Sequence, residues 1–393
     1  MQISKRSPFD FAIIGAGISG ACMAYHLDKL GKSVIVIEKD KIASGGSGAA
    51  GAFLSPKLAS NSPYTKFINS SFEFSIKFYK ENFPKFLKSN GILRILKSQD
   101  DIDKCRLYED ILPKNFTYLR ADDIEMVKKD VSSFGGYFFK DGATIDSVGV
   151  IKEMLKVIDV VDSLHVESLD YINGYYEIGD IRAKGIVFCA GNSQDFKQLE
   201  YLGLKNIYGH RIDVKTATIL PFHLHKSCSI SASHDGLVHI GATHIPNYKY
   251  DKNRDYDVEV SRMIELAKSY LKFDGFEVKK VNFGVRNSSL DFFPTLGQIV
   301  DVKKTLEKYP YIKKGSKVPK EKYIYYPNLF VHAGLGARGF VLAPITSKIL
   351  SEHICTHSNI PKRLETQRLF VKFAKKQKSG APAPDVRDFT PLF

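Results

Sequence analysis

One short segment constrains this chain more than any other. Gly15-Ala16-Gly17-Ile18-Ser19-Gly20 follows the apolar run Phe9–Ile14 and opens a stretch with helical spacing from 18 to 30. Ser33-Val34-Ile35-Val36-Ile37 then reads as a second buried strand, and Glu38 stands at its end, 18 residues past Gly20. Strand, glycine-rich turn, helix and parallel strand make one βαβ unit. Gly15 permits the tight turn, Gly17 lets a pyrophosphate approach the backbone, and Gly20 lets helix and strand pack closely. The helix N-terminus offers unpaired N–H groups and the positive end of its dipole to phosphate. Glu38 is placed to accept hydrogen bonds from both hydroxyls of an adenosine ribose. A glycine-rich turn without ligand is the alternative, and NAD and FAD fit this fingerprint equally.

Two further glycine-rich stretches separate those cofactors. Ser44-Gly45-Gly46-Ser47-Gly48-Ala49-Ala50-Gly51 lets backbone run beside a flat, bulky group, with the Ser44 and Ser47 hydroxyls available to phosphate. By itself this stretch would read as a flexible loop. Ile186–Gly191 is another buried strand ending in glycine, at Gly191. Near the C-terminus, strand 328–333 leads into Gly334-Leu335-Gly336-Ala337-Arg338-Gly339 and a helix to about 353. With Gly336 and Gly339 at its start, that helix would face a flavin ring and stabilise the negative charge of its reduced form. Glycine-rich loops at the start, near 47 and near the C-terminus suit FAD crossing a whole fold better than NAD.

At 393 residues the chain is too long for one ordinary core. The pattern predicts an α/β protein in which a Rossmann-type FAD-binding domain (1–90, 145–200 and 326–378) interleaves with a substrate domain on a mainly antiparallel sheet (91–144 and 201–325). A flexible tail is expected at 379–393. Between the glycine loops, the spacing predicts a helix over 64–80 capped by Ser62, strands at 92–96 and 136–139, a helix over 148–158, and a hairpin over 164–178 turning at Asn173-Gly174. A helix is expected near 258–270, and the lysine-rich stretch 303–322 reads as an exposed insertion.

Cys22, Cys105, Cys189, Cys228 and Cys355 are scattered without a C-x-x-C pair, which predicts reduced thiols and a cytoplasmic protein. His223 and His225 have no companions at metal-ligand spacing, so no metal is expected. Lys5 and Arg6 before an apolar stretch imitate a signal peptide, but three glycines and Ser19 interrupt it. No segment is apolar enough to predict a transmembrane helix.

GAGISG with its acid, IVFCAG, GVRNSSLDFFPTLG (284–297) and the C-terminal glycine loop resemble the D-amino acid oxidase, glycine oxidase and sarcosine oxidase superfamily. SGGSGAAGAFLSPKLAS (44–60), FINSSFEFSIKFY (67–79), LFVHAGLGARGFVLAPITSKIL (329–350) and RLFVKFAKK (368–376) are similar to the oxidase half of the bifunctional tRNA 5-methylaminomethyl-2-thiouridine biosynthesis proteins. The resemblance implies a glycine oxidase-like fold, noncovalent FAD and a tRNA substrate. The expected reaction removes the carboxymethyl group of a wobble 5-carboxymethylaminomethyl(-2-thio)uridine as glyoxylate. The family's bifunctional form has a methyltransferase domain before the flavin domain, whereas the first strand here starts at residue 9. A separate methyltransferase is therefore an expected partner.

The same resemblance places Arg286 where glycine-oxidising relatives bind the substrate carboxylate, and a guanidinium matches a carboxylate with two parallel bonds. Arg338 is the second candidate, for the carboxylate or the flavin carbonyl. For both, the alternative is an ordinary structural ion pair, and His244 reads as a satisfied structural histidine. Sarcosine oxidases tether flavin through a cysteine near this position, and no cysteine lies there in this chain. The formal net charge is +14, and residues 362–378 hold seven lysines and arginines. With the eight lysines of 303–322 they make a candidate tRNA-binding face, the alternative being a solvated basic surface. Two other functions remain open from sequence: oxidation of free glycine, sarcosine or D-amino acids, and a flavin-bearing binding protein without catalysis.

Overall fold

The computed structural model describes residues 7–191, 196–245, 257–316 and 318–376. The tail at 379–393, Lys317 and Lys378 lie outside the described residues. The opening strand Phe9–Ile14 sits at the middle of the first sheet, with Val34–Ile37 on one side and Ile181–Phe188 on the other, all parallel. Ile14 pairs with both Ile37 and Phe188, so the three strands end level. That register brings the residues that follow them, Gly15, Glu38 and Cys189–Gly191, to one sheet edge. In an open parallel sheet this edge is where ligands bind. Asp159–Val161 extends the sheet beside Val34–Ile37, and Tyr325–Ala333 lies parallel to the end of Ile181–Phe188. Asp170–Ile172 and Tyr175–Ile178 add an antiparallel hairpin.

Why the first strands are continuously apolar follows from their two covered faces. Ile13, Val34 and Val36 pack with Ala21, Ala24 and Leu27 of the opening helix Ile18–Lys29. Their neighbours Ala12, Ile14, Ile35 and Ile37 point the other way, toward Leu369, Phe370 and Ala374 of the last helix, Gln367–Lys376. Alternating side chains that are all buried are the mark of a parallel sheet between two layers.

The second sheet runs in the order Glu277–Ser288, Lys205–Lys215, Leu237–Gly241, Ser229–Ile230, His223–His225, Ile92–Ile95, Gly136–Phe139, Phe116–Leu119. Every pairing is antiparallel except His223–His225 with Ile92–Ile95. The expected α/β class and the mainly antiparallel second sheet are both present.

The helix Pro63–Asn82 begins as expected, with the Ser62 hydroxyl accepting the Thr65 N–H at 3.1 Å. It supports the C-terminal helix Gly339–Thr356 at a specific weak point. Pro344 inside that helix has no N–H for the Phe340 carbonyl, and the buried Tyr79 hydroxyl donates to it instead, at 3.0 Å. Buried His332, held neutral by burial with its pKa down to about 3, bonds Ser19 through Nδ1 and Thr346 through Nε2. These bonds tie the opening helix, the C-terminal strand and the C-terminal helix together.

Four expectations change. The helix expected to run to 158 ends at Met154, and Asp159–Val161, where no element was expected, is a strand. Gly46–Ala49 forms one helical turn within the stretch read as a loop. The stretch 303–322 is mostly exposed, as expected, but it is anchored: Val302–Lys308 is helical, and Thr305, Leu306 and Ile312 are buried. Thr295–Val300, which the sequence division puts with the substrate domain, pairs with Tyr325–Ala333 in the first sheet. Among the described residues, no helix is long and apolar enough to cross a membrane.

Candidate active site

A cavity of about 1010 Å³ runs from the ends of the first-sheet strands to the second sheet. Gly15, Gly17, Glu38, Ser44, Ser47, Gly191, Gly336 and Gly339 all line it, as do Arg286 and Arg338. Gly20 does not. It lies behind the wall, where a Cβ would stand 1.9 Å from the Gly15 carbonyl oxygen. Gly15 has φ +107°, and a Cβ there would meet the Cys189 carbonyl oxygen at 2.7 Å. The turn therefore needs glycine at both positions, one for conformation and one for close approach.

The donor set at this end fits an adenine dinucleotide. Gly17 caps the opening helix, whose first turn carries no acid, and the near atoms around a Gly17 Cβ belong to the Ser47 side chain. Ser47 Oγ accepts the Ile18 N–H at 3.0 Å, which puts a hydroxyl at the helix N-terminus. Glu38 Oε2 accepts the Ala16 N–H at 2.7 Å and Oε1 accepts the Asp40 N–H at 3.1 Å. The carboxylate is thereby fixed at the strand end, and each oxygen keeps a lone pair for a ribose hydroxyl. Ser44 is exposed on the cavity wall, and Gly191 and Gly336 have φ +57° and +58°. Gly339 starts the C-terminal helix, where a Cβ would stand 3.2 Å from Ile18 Cγ2. Two helix N-termini thus converge on one cavity.

The glycines of 44–51 serve a purpose that local reading missed. A Cβ on Gly46 would lie 2.3 Å from the Val285 carbonyl oxygen, and one on Gly48 would lie 2.1 Å from that of Ala43. The turn Gly46–Ala49 is packed directly on the strand Glu277–Ser288. Arg211 makes a second tie between this segment and the second sheet: Nη1 donates to the Ala50 carbonyl, and Nε lies 3.0 Å from Asp213 on its own strand. Burial opposes ionisation of Asp213, but bonds from His239 and Asn282 and the Arg211 charge outweigh it and hold its pKa at about 2.

Arg286 opposes Ile207 on the neighbouring strand and lies across Gly209, where a Cβ would meet Nη2 at 2.6 Å. Its one described hydrogen bond is from Nη1 to the Thr243 carbonyl, at 3.3 Å. No carboxylate pairs with it among the described residues, and burial alone pulls its pKa down. His210 and His244 stand in its field; burial first, and for both also the Arg286 charge, lower their pKa values. Arg338 belongs to another neighbourhood: Nη1 donates to the Ser55 carbonyl at 2.8 Å, and its charge acts on Lys57, Arg94 and His225. Lys57, Arg94, His210 and Arg211 are cavity residues that the sequence pattern did not single out, and His225 was weighed only as a metal ligand. The signal for Arg94 was a lone charge in the buried strand Ile92–Ile95; Lys57 offered none.

His223 and His225 are buried with Phe53 edge-on to both rings, at 5.7 and 4.9 Å. The described residues contain no cluster of three or more groups that would hold a metal ion.

The two basic stretches do meet. Lys375 Cε approaches Gly315, and the Lys376 charge acts on Lys205. Lys313, Lys314, Lys375 and Lys376 are exposed there. Arg368 is committed elsewhere: Nε and Nη2 grip the Asp291 carboxylate, both at 3.0 Å. Lys372 lies 3.4 Å from the same acid, and Lys320 pairs with Glu365.

A family model described as FAD dependent oxidoreductase (DAO) matches residues 10–353. The bifunctional tRNA 5-methylaminomethyl-2-thiouridine biosynthesis protein MnmC of Legionella pneumophila (strain Corby) is 25% identical over 385 residues, covering 93% of this chain. Its counterpart in Leptospira borgpetersenii serovar Hardjo-bovis (strain JB197) is 25% identical over 374 residues, covering 87%. The chain spans 57% and 56% of the length of these two relatives. Glycine oxidase from Geobacillus kaustophilus has a similar structure, with TM-score 0.73 over 90% of this chain and 96% of that one, at 16% identity.

Proposed function

Because the chain belongs to the DAO family of FAD-dependent oxidoreductases, we propose that it oxidises the secondary amine of a carboxymethylaminomethyl group on the wobble uridine of tRNA. The products are the aminomethyl nucleoside and glyoxylate. The observation that carries this reading is Arg286: a half-buried guanidinium facing the cavity with one backbone carbonyl for company. Such a group favours an anion that arrives with two oxygens in one plane. Anchoring the carboxylate of –NH–CH2–COO− there fixes the position of the adjacent CH2.

FAD, when bound, supplies the two-electron acceptor for the hydride that leaves this carbon. The residues proposed to hold it are Gly15, Gly17 and Ser47 at the pyrophosphate, Glu38 at the adenosine ribose, and Ser44, Gly191, Gly336 and Gly339 along the rest, with Gly20 behind them. The amine must be neutral to release the hydride. Arg286 contributes by orienting the substrate and by taking up its carboxylate charge, and no dedicated base is assigned. The imine left on the substrate is hydrolysed by water. The substrate carboxylate is not assigned to Arg338, because its neighbours are Ser55, Lys57 and Arg94 and not Arg286.

The cofactor is proposed to be noncovalent. No cysteine lies near Arg286 in sequence, and burial pushes the cavity-lining thiols of Cys105, Cys189 and Cys228 up to about 11, 12 and 12. They stay protonated and poorly nucleophilic.

The names of the relatives and the joined basic face support tRNA as the substrate. Changing Lys313, Lys314, Lys375 and Lys376 to Gln should raise KM for tRNA and leave flavin content unchanged. The salt dependence of tRNA binding should flatten by about 0.7–0.9 in log–log slope for each phosphate that the protein no longer neutralises. A filter-binding or anisotropy titration from low to high salt reads this directly. An unchanged slope removes the basic face from the proposal and leaves the reaction standing.

A further inference from the structure

The cavity attracts anions at two places, and Arg286 accounts for only one. Around residues 55–59, 94–97 and 225–229 a second set of cations lines the wall: Lys57, just beyond the short strand Phe53–Leu54; Arg94, on Ile92–Ile95; and Arg338, before the C-terminal helix. Three separate parts of the chain deliver positive charge to one spot. Arg338 donates to the Ser55 carbonyl, and Lys57 Nζ sits 5.7 Å from the centre of the Tyr64 ring. The Arg94 guanidinium makes no hydrogen bond or ion pair among the described residues, and none of the three cations pairs with a carboxylate there. Asp101 is the acid at this end of the cavity; its charge supports Arg94 from a distance without pairing with it, and its Oδ2 accepts the Lys97 N–H at 2.9 Å.

Like charges gathered in a half-buried place repel one another, and the chain shows it. Burial first, then Arg338 and Arg94, bring Lys57 down to about 8; burial and Arg338 bring Arg94 to about 10. Both remain cations at neutral pH. His225 beside them is held neutral by burial and by the arginine charges. Keeping three unpaired cations together is unfavourable until an anion joins them. The FAD pyrophosphate is assigned elsewhere, at Gly17 and Ser47, and the substrate carboxylate at Arg286. Arg286 lies on Glu277–Ser288 and Arg94 on Ile92–Ile95, with four strands of the second sheet between them, so the two anion-attracting places are distinct.

We propose that Lys57, Arg94 and Arg338 form a second anion subsite, which takes a phosphate group of the nucleotide whose base carries the reacting amine. The inference rests on the nucleotide reading of the substrate and adds to it. Such a nucleotide carries anions at both ends, a carboxylate on the base and a phosphate on the sugar. Cations arriving from three directions match phosphate oxygens better than the planar pair of a carboxylate.

The test uses the FAD-loaded protein and three substrates: 5-carboxymethylaminomethyluridine as the nucleoside, the same compound as its monophosphate, and an anticodon stem-loop RNA containing it. In the wild type, phosphate should lower KM about tenfold or more relative to the nucleoside. Lys57→Gln and Arg94→Gln should each cut most of that advantage. Inorganic phosphate, followed by its perturbation of flavin absorbance, should bind the wild type and bind each variant about tenfold more weakly. An advantage present only in the stem-loop, and abolished in the variants, supports a backbone diester as the source; one present in the monophosphate supports any phosphate ester. Equal loss for nucleoside and monophosphate would mean the cluster holds the carboxylate, overturning the subsite while the substrate reading stands. If none of the three is oxidised while glycine is, the substrate reading fails, and the phosphate titration alone then decides: a saturable, variant-sensitive perturbation keeps the subsite, and a variant-insensitive one ends it. Should both variants lose FAD, wild-type competition decides: inorganic phosphate must inhibit the monophosphate more strongly than the nucleoside, and equal inhibition overturns the proposal.

Discussion

Arg286→Lys should lower kcat/KM for the amine substrate about ten- to hundredfold while the protein stays yellow. The magnitude is that of one charge-assisted hydrogen bond, roughly 1.5–3 kcal/mol, taken as the deficit in transition-state stabilisation. Lysine keeps the charge but offers a single ammonium where the guanidinium offers two parallel donors. It also leaves a gap over Gly209, the surface on which the guanidinium lies. The substrate carboxylate would still bind, with the CH2 group free to wander from its reacting position. Loss is therefore expected in kcat as well as KM. Flavin content, measured by absorbance after acid release, separates this result from damage to the fold. Wild-type kinetics in the lysine variant would remove Arg286 from the site.

Gly20→Ala should give a colourless protein. The new methyl would sit 1.9 Å from the Gly15 carbonyl oxygen, a backbone atom that cannot swing away. The opening helix must retreat from its strand, carrying its N–H groups away from the place proposed for the pyrophosphate. Overpacking of this kind costs about 1–3 kcal/mol, so the melting temperature should fall together with cofactor retention. Gly17→Val makes a useful contrast. Around a Gly17 Cβ the near atoms belong to the Ser47 side chain, which can turn aside. That variant should also lose FAD but melt close to the wild-type apoprotein. If Gly20→Ala keeps both its colour and its melting temperature, the helix is not held where the cofactor needs it.

The cofactor end was largely legible in the sequence because its requirements are local. A turn, a helix start and an acid at a strand end are each written in a few adjacent residues, and Gly15, Gly17 and Glu38 fall where the pattern put them. The substrate end is different. Lys57, Arg94 and Arg338 become neighbours only through the meeting of two sheets and a helix, and no spacing along the chain encodes that. Gly46 and Gly48 read in sequence only as small residues in a loop, because the surfaces they approach, Val285 and Ala43, are set by packing. Composition was right about the exposure of 303–322, but its eight lysines obscured the buried anchors Thr305, Leu306 and Ile312. Asp159–Val161 escaped notice because three residues are too few to show a period; their pairing with Val34–Ile37 makes them a strand. Likewise, the lysines of the last helix looked equivalent in sequence, whereas Lys372 shares Asp291 with Arg368, and Lys375 and Lys376 face outward.

Oxidation of an amine carried on tRNA is the activity proposed for the cavity. It is tested by incubating purified FAD-loaded protein with tRNA containing 5-carboxymethylaminomethyluridine, followed by mass analysis of the digested nucleosides and assay of glyoxylate. Free glycine, treated in parallel, serves as the competing substrate. Conversion of the modified nucleoside to 5-aminomethyluridine, with an equal amount of glyoxylate and little turnover of glycine, is the predicted result. Unchanged nucleosides beside rapid oxidation of glycine would contradict it and make the protein an oxidase of free amines.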